Sequence, residues 1–315
     1  PMSIAPNFMA LTHPVPVGVV GGIIPWNGPL MGLWWIYGPA LATGCTAVLK
    51  PAEDASLSSL RVSELMMEAG VPEGVINVVT GYGKDVGQAL SEHMGVDRVA
   101  FTGSVGTAQA IVRASAGNLK RLQLELGGKS PDIVLADADL DKAVPGAAMG
   151  VFSNTGQVCV AGTRILVQRA IHDEFVQRLA AFAKTIKIGD GRESGVQIGP
   201  LISQRQLDRV MHYMDIGGKE AQLVHGGQRL TGGELGKGFF VEPTVFANVR
   251  NDMTIAREEI FGPVASVIPF DTVEDALRLA NDTPYGLAGG VWTQNLGTAH
   301  KVSQGIRSGT VWVNC

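Results

Sequence analysis

The sequence predicts an α/β protein built from two doubly wound, open parallel-sheet domains. Three observations carry this prediction. Short runs rich in Val, Ile and Leu alternate with helix-like stretches along the whole chain. The chain has 315 residues, is 45% hydrophobic and has a mean hydropathy of +0.18. That is enough apolar material for real cores and about two domains. Finally, a strand-like run ends in the flexible pair Gly127-Gly128, a natural seam.

The elements follow in order. Residues 17–24 read as a buried strand, 30–42 as a helix and 46–49 as a strand. Residues 56–69 carry Leu57, Leu60, Leu65 and Met66 at helical spacing, with Gly70 just past the end. Strand 75–80, helix 85–91, strand 98–101 and helix 104–115 come next. Within 119–126, Leu122, Leu124 and Leu126 alternate towards one face, the mark of a half-buried strand. Beyond the seam, the pattern predicts strand 133–135, helix 140–152, strand 164–167 and helix 173–187. Helix 204–214, strand 264–270, helix 273–281 and strands 287–292 and 310–313 complete the series. The Gly-rich segment 226–238 reads as a surface loop. No repeat at a fixed period is visible.

Charge and cysteine usage narrow the function classes. Lys+Arg 25 against Asp+Glu 29 gives a net charge of −4 without a basic run, which argues against nucleic acid as a partner. Cys45, Cys159 and Cys315 are an odd count without CxxC spacing. A disulfide framework and a cysteine-based zinc site are therefore not expected, and a reducing compartment is. No charged residue occurs from 14 to 49, but Pro25, Pro29 and Pro39 cut that stretch into pieces too short to span a membrane. No secretory signal pattern precedes it, so a cytoplasmic location is expected. Both ends, Pro1 and Cys315, read as cut.

Several motifs bear on chemistry. Gly81-Tyr82-Gly83-Lys84-Asp85-Val86-Gly87 follows a strand and opens a helix, like a dinucleotide-binding turn with its last spacing one residue too long. A glycine-capped tight turn explains it equally well. Gly128-Lys129-Ser130 imitates the end of a phosphate loop, but Gln123 stands where the first glycine belongs. The six histidines form no HExxH, and no serine has glycine two residues away on both sides. The remaining nucleophile candidates are the cysteines. From its Val158-Cys159-Val160-Ala161 context, Cys159 reads either as a small core residue or as a reactive thiol. Cys45 keeps the core reading.

Six local strings, read in order, resemble the aldehyde dehydrogenase superfamily. They are Pro25-Trp26-Asn27, Lys50-Pro51-Ala52-Glu53, Phe101-Thr102-Gly103-Ser104 and Leu124-Glu125-Leu126-Gly127-Gly128-Lys129-Ser130-Pro131. Gly156-Gln157-Val158-Cys159 and Glu258-Glu259-Ile260-Phe261-Gly262-Pro263 follow. Each is weak alone, and together they are specific. The resemblance covers essentially the whole chain and implies longer relatives. It implies a Rossmann-like NAD-binding domain over 17–126 and a catalytic thiol domain over 127–315. Residues 1–16 would be the remnant of an oligomerisation segment.

The resemblance implies NAD-dependent oxidation of an aldehyde to a carboxylic acid. Cys159 would be the nucleophile, and the amide of Asn27 would donate to the alkoxide. Glu125, at the end of an otherwise apolar strand, would be the base that activates water. Ile24 and Trp26 would line the cofactor cleft. Lys50 and Glu53 would hold the adenine ribose, and the carboxylate would favour NAD over NADP. Gly83, Gly103, Ser104 and Leu126 would lie along the cofactor, and Glu259 and Phe261 would place the nicotinamide ribose and ring. No metal site is implied, and the expected assembly is a homodimer or homotetramer. Two rivals stand beside this reading: a CoA-acylating semialdehyde dehydrogenase, and a non-catalytic homologue that only binds dinucleotide.

The sequence departs from the family pattern at a few points. Ala108 stands where a glycine is frequent, and Ile36 where a lysine is frequent. Gly28, Gly32 and Ser153 replace larger residues, which implies a roomy substrate pocket suited to an aromatic or bulky aldehyde.

Overall fold

The computed structural model describes residues 7–315. The chain divides into two compact units, the first ending at Leu126 and the second beginning at Gly127. Residues 1–6, part of the expected oligomerisation remnant, lie outside the described residues.

The first unit contains β1 (Val19–Ile23), α1 (Pro29–Ala42), β2 (Thr46–Lys50), α2 (Leu57–Glu68) and β3 (Ile76–Val78). It continues with α3 (Gln88–Glu92), β4 (Arg98–Gly103), α4 (Val105–Ala114) and β5 (Arg121–Leu126). All strand pairs are parallel, in the order β3-β2-β1-β4-β5. The order runs outward from β1 in both directions, which makes the β1/β4 boundary a topological switch point. Period-two alternation splits the apolar residues between two faces. Val20, Leu49 and Ala100 pack with Leu33, Ile36 and Tyr37 of α1. Ile23, Val99 and Phe101 pack with Leu90 of α3 and with Ala108 and Ile111 of α4. Pro29 opens α1, where its missing N–H costs nothing.

The second unit begins with β6 (Pro131–Val134), α5 (Leu140–Phe152), β7 (Arg164–Gln168), α6 (His172–Thr185) and α7 (Gln204–Glu220). Then come β8 (Gln222–His225), β9 (Thr244–Ala247), α8 (Thr254–Arg257) and β10 (Val264–Phe270). It closes with α9 (Val273–Asn281), β11 (Ala288–Trp292), α10 (Leu296–Gly305) and β12 (Thr310–Val313). The seven strands run β12-β11-β6-β7-β10-β9-β8, and only β8 is antiparallel to its neighbour. Val134, Ile165, Val167 and Val267 face α5 and α6. Ile133, Leu166, Val264 and Ile268 face the other way, against a core that includes Leu207 and Val210 of α7 and Ala276 of α9.

The fold class agrees with the sequence reading, and the differences are local. Strands β8 and β9 and helices α8 and α10 were not anticipated. Helix α10 contains Gly297 and Gly305, which weaken its local signal, but Asn295 caps it by accepting from the Thr298 N–H at 2.9 Å. Helix α7 runs past the expected 214 through Gly217 to Glu220, because Gly217 is where Phe246 packs: a Cβ there would lie 2.7 Å from its ring. Residues 83–87 form a wide π turn ahead of α3. Segment 226–238 mixes exposed and half-buried residues, carries a short 3-10 turn and makes an isolated bridge from Arg229 to Val241. Among the described residues, no helix is long and apolar enough to cross a membrane.

Candidate active site

In the first unit, the candidate residues gather at the carboxyl ends of the strands. Ile24, Trp26 and Asn27 follow β1, and Lys50 and Glu53 lie at the end of β2 and just after it. Gly103 ends β4 and Ser104 follows it, while Glu125 and Leu126 end β5, paired with Thr102 and Gly103. Parallel register alone therefore brings them to one edge, where open α/β sheets bind ligands.

The local contacts refine the expected roles. Lys50 is buried. Its Nζ donates to the carbonyls of Pro51 (2.8 Å) and Gly81 (3.0 Å) and sits 3.7 Å from Glu53 Oε1. It thus ties the glycine turn to β2. Glu53 is about two-fifths exposed and accepts from the Gly83 N–H at 2.7 Å. The 81–87 segment is braced from β2. A cleft of about 740 Å³ lies beside it, lined by Ile23, Gly83, Gly87, Gln88, Thr107 and Ile111. That size suits a small-molecule site. Ser104 caps α4, its Oγ accepting from the Thr107 N–H at 3.3 Å.

Glu125, Asn27 and Trp26 are half-buried, and Ile24 is buried. Ile36 is a core residue. A Cβ on Gly32 would meet Ile24 at 3.2 Å, so this glycine lets α1 approach the end of β1.

The second unit presents its candidates at the opposite strand ends. Gly127 to Ser130 precede β6, Cys159 precedes β7 and Glu259 to Pro263 precede β10. These three strands are neighbours in the sheet. Cys159 is half-buried and in no disulfide. Its loop is strained: Asn154 (φ 51°) and Thr155 (φ 57°) are left-handed just after α5. Such a conformation costs about 1–2 kcal/mol per residue, and a β-branched threonine rarely adopts it. The surroundings hold it in place. Thr155 Oγ1 donates to the Gly199 carbonyl (2.8 Å), Gln157 Nε2 to the Asn154 carbonyl (3.1 Å), and Ile202 N–H to Gln157 Oε1 (3.0 Å). Gly156 (φ 70°) leaves no room for a side chain, since a Cβ would lie 2.1 Å from the Gly262 carbonyl oxygen.

Phe261 is also left-handed (φ 60°). Helix α7 supports its loop: Gln206 Nε2 donates to the Phe261 carbonyl (2.7 Å), and Arg209 donates to the carbonyls of Glu259 and Ile260. Glu259 Oε1 accepts from the Gly128 N–H at 3.0 Å. Burial pushes the Glu259 carboxyl up, opposed by that N–H. Lys129 is fully buried without a hydrogen-bond partner for Nζ among the described residues, and burial pushes it down to about 7. The Lys129 carbonyl accepts from Arg164 Nε at 2.9 Å. Arg164, itself buried, also donates to Asn251 and to the Leu279 and Ala280 carbonyls.

Gln206, Arg209 and Arg164 escaped the sequence reading. The available signals were a charged residue opening the apolar strand β7, and polar residues on the first turns of α7.

Two open, largely parallel sheets, one with a cleft beside its switch point and one with a cysteine on a strained loop, define a two-unit α/β protein with a candidate thiol site. The model of the aldehyde dehydrogenase family matches residues 1–315, and the chain belongs to that family. It is 49% identical over 311 residues to human aldehyde dehydrogenase 1A1, covering 98% of this chain and 61% of that protein. It is 50% identical over 301 residues to an aldehyde dehydrogenase of Agaricus bisporus, covering 95% and 60%. Among solved structures, betaine aldehyde dehydrogenase from Staphylococcus aureus, in complex with NAD+, superposes with a TM-score of 0.93 at 45% identity. That match covers 95% of this chain and 59% of the other. PnpE from Pseudomonas sp. WBC-3 gives a TM-score of 0.94 at 48% identity, covering 96% and 62%. The chain spans about three-fifths of the length of the curated relatives it matches.

Proposed function

We propose that this chain carries out NAD-dependent oxidation of an aldehyde to a carboxylic acid, with Cys159 as nucleophile. The observation that carries the reading is the strained, over-determined loop that presents Cys159 beside Gly128. Strain held by surrounding contacts clusters at functional sites. Family membership and the NAD+-bound relative support it.

The first unit suits a dinucleotide. Its cleft has apolar walls at Ile23 and Ile111 for a planar base, a glycine turn, and the Glu53 carboxylate nearby for ribose hydroxyls. Lys50 braces Glu53, and Ser104 opens α4, whose first turn lines the cleft. Ile24, Trp26, Gly83, Gly103 and Leu126 complete the cofactor set, with Glu259 and Phe261 for the nicotinamide end. NAD, when bound, supplies the hydride acceptor.

The remaining chemistry belongs to the chain. The Cys159 thiolate adds to the aldehyde carbon and forms a C–S bond. Asn27 Nδ2 and the Cys159 N–H donate to the oxyanion that develops on the carbonyl oxygen. Loss of hydride leaves a thioester on Cys159. Glu125 takes a proton from water, the water oxygen adds to the thioester, and the C–S bond breaks to release the acid. The whole protein acts on this reading as a homodimer or homotetramer in the cytoplasm, in keeping with the cytosolic mouse relative.

A stopped-flow trace of NADH formation with NAD and either benzaldehyde or propanal tests the reading. A burst of about one NADH per chain is expected. A larger burst with benzaldehyde would support the roomy pocket. Cys159→Ser should lower the rate by about 10³-fold or more while NAD still binds. Normal turnover in that variant would overturn the mechanism.

A further inference from the structure

Gly128 stands between two groups that the proposed chemistry uses. Its N–H donates to Glu259 Oε1 at 3.0 Å. Its missing side chain receives the nucleophile loop: a Cβ would lie 2.5 Å from the Cys159 carbonyl oxygen. Gly127 fits as tightly on the other side, where a Cβ would lie 2.3 Å from Glu259 Oε2. The turn has little freedom to yield. Arg164 holds the next carbonyl, that of Lys129, and is itself fixed by three further acceptors. Arg209 and Gln206 hold the 259–261 backbone from α7.

We propose that Gly128 is a positioning residue that couples the Glu259 carboxylate to the Cys159 loop, so that engagement of Glu259 sets the placement of the thiol. This rests on the reading of Cys159 as nucleophile. The physical reason is steric. Close-packed interiors transmit displacement because they contain no slack. With Gly128 pressed on the Cys159 carbonyl, a turn released from Glu259 shifts the backbone that carries Sγ. The coupling works without cofactor, since every contact in it belongs to the chain.

The test reads the thiol directly. The folded chain is treated with iodoacetamide in the absence of NAD, and alkylation of the Cys159 peptide is followed by mass spectrometry. Following the peptide separates Cys159 from the exposed Cys315. Glu259→Ala should slow Cys159 alkylation by about tenfold, the scale of a lost hydrogen bond to a charged group. Glu259→Gln keeps an acceptor oxygen for the Gly128 N–H without the charge, and should stay within about twofold of the native rate. Gly128→Ala should slow alkylation at least as much as Glu259→Ala, although the carboxylate remains. Equal rates for the Ala and Gln variants at 259 would make the effect one of charge and overturn the coupling. Native rates in both Glu259→Ala and Gly128→Ala would overturn it as well. If Gly128→Ala does not fold, the pair at 259 decides alone. Failure of the nucleophile reading shows separately, as turnover that survives Cys159→Ser.

Discussion

The two units present their candidate residues at opposite ends of their strands. In the first, Asn27, Lys50, Glu53, Ser104 and Glu125 lie at or just beyond carboxyl ends. Parallel register puts them on one edge, and the helix that follows each strand leaves room for a cleft there. In the second, Gly128, Cys159 and Glu259 precede the amino ends of β6, β7 and β10. Nothing in doubly wound topology favours that edge. The unit builds it instead from left-handed residues at 154, 155 and 261, from glycine contacts, and from hydrogen bonds sent by Arg164 and α7 to residues distant in sequence. An edge given by topology tolerates ordinary backbone. An edge built against it stores strain and needs support.

Three changes probe this contrast, the largest first. Asn27→Ala removes a donor at the topological edge and should lower kcat by about 10²–10³-fold. Iodoacetamide alkylation of Cys159 should be unaffected. An altered alkylation rate would mean that Asn27 acts by shaping the thiol loop, and the division of labour between the units would fail.

Glu53→Ala should weaken NAD binding by about tenfold, the scale of a hydrogen bond to a charged group, and narrow the preference over NADP. Equilibrium binding followed by fluorescence reads both. The variant also frees the Gly83 N–H, so the 81–87 turn should gain amide exchange. Unchanged affinity with faster exchange would reduce Glu53 to a brace.

The smallest effect concerns an interior strand of the second unit. Asp132 on β6 is buried, and its carboxyl, which accepts from Trp292 Nε1 at 3.2 Å, is pushed up by burial to about 7. Its folded value lies above the ordinary aspartate value of 3.8, so its protonated form stabilises the fold at low pH. That contribution is complete below the unfolded pKa and is lost as pH rises through the folded one. Asp132→Asn cannot ionise, so it should gain a few degrees in melting temperature over the native chain at pH 7.5 relative to pH 4.5. A difference independent of pH would break the assignment. Lys129 has the opposite shift, down to about 7, and its stability effect falls between that value and 10.5. The two windows do not overlap.

Much of the fold was legible because burial leaves a local period. Val99 and Phe101 against Ala100, and Ile165 and Val167 against Leu166, mark the two faces of their sheets within a few residues. Strands β8 and β9 escaped because they are short, and β8 is a largely exposed edge with little alternation to read. Helix α7 outran its expected end because a glycine in it answers to Phe246, about thirty residues away.

The sequence by itself therefore determined the class of fold, most of its elements and the family, through periodicity and ordered motifs. It also named Cys159 as a thiol worth weighing: its local context leaves a core residue and a nucleophile both open, and only the family resemblance makes it the nucleophile. Only the tertiary structure decided that Cys159 follows a left-handed turn and packs its carbonyl on Gly128. Only there does Lys50 become a buried brace, and only there do Gln206, Arg209 and Arg164 hold the loops of the second unit. The reason is range: a period is written in adjacent residues, whereas these contacts join positions tens of residues apart and leave no mark on either segment alone.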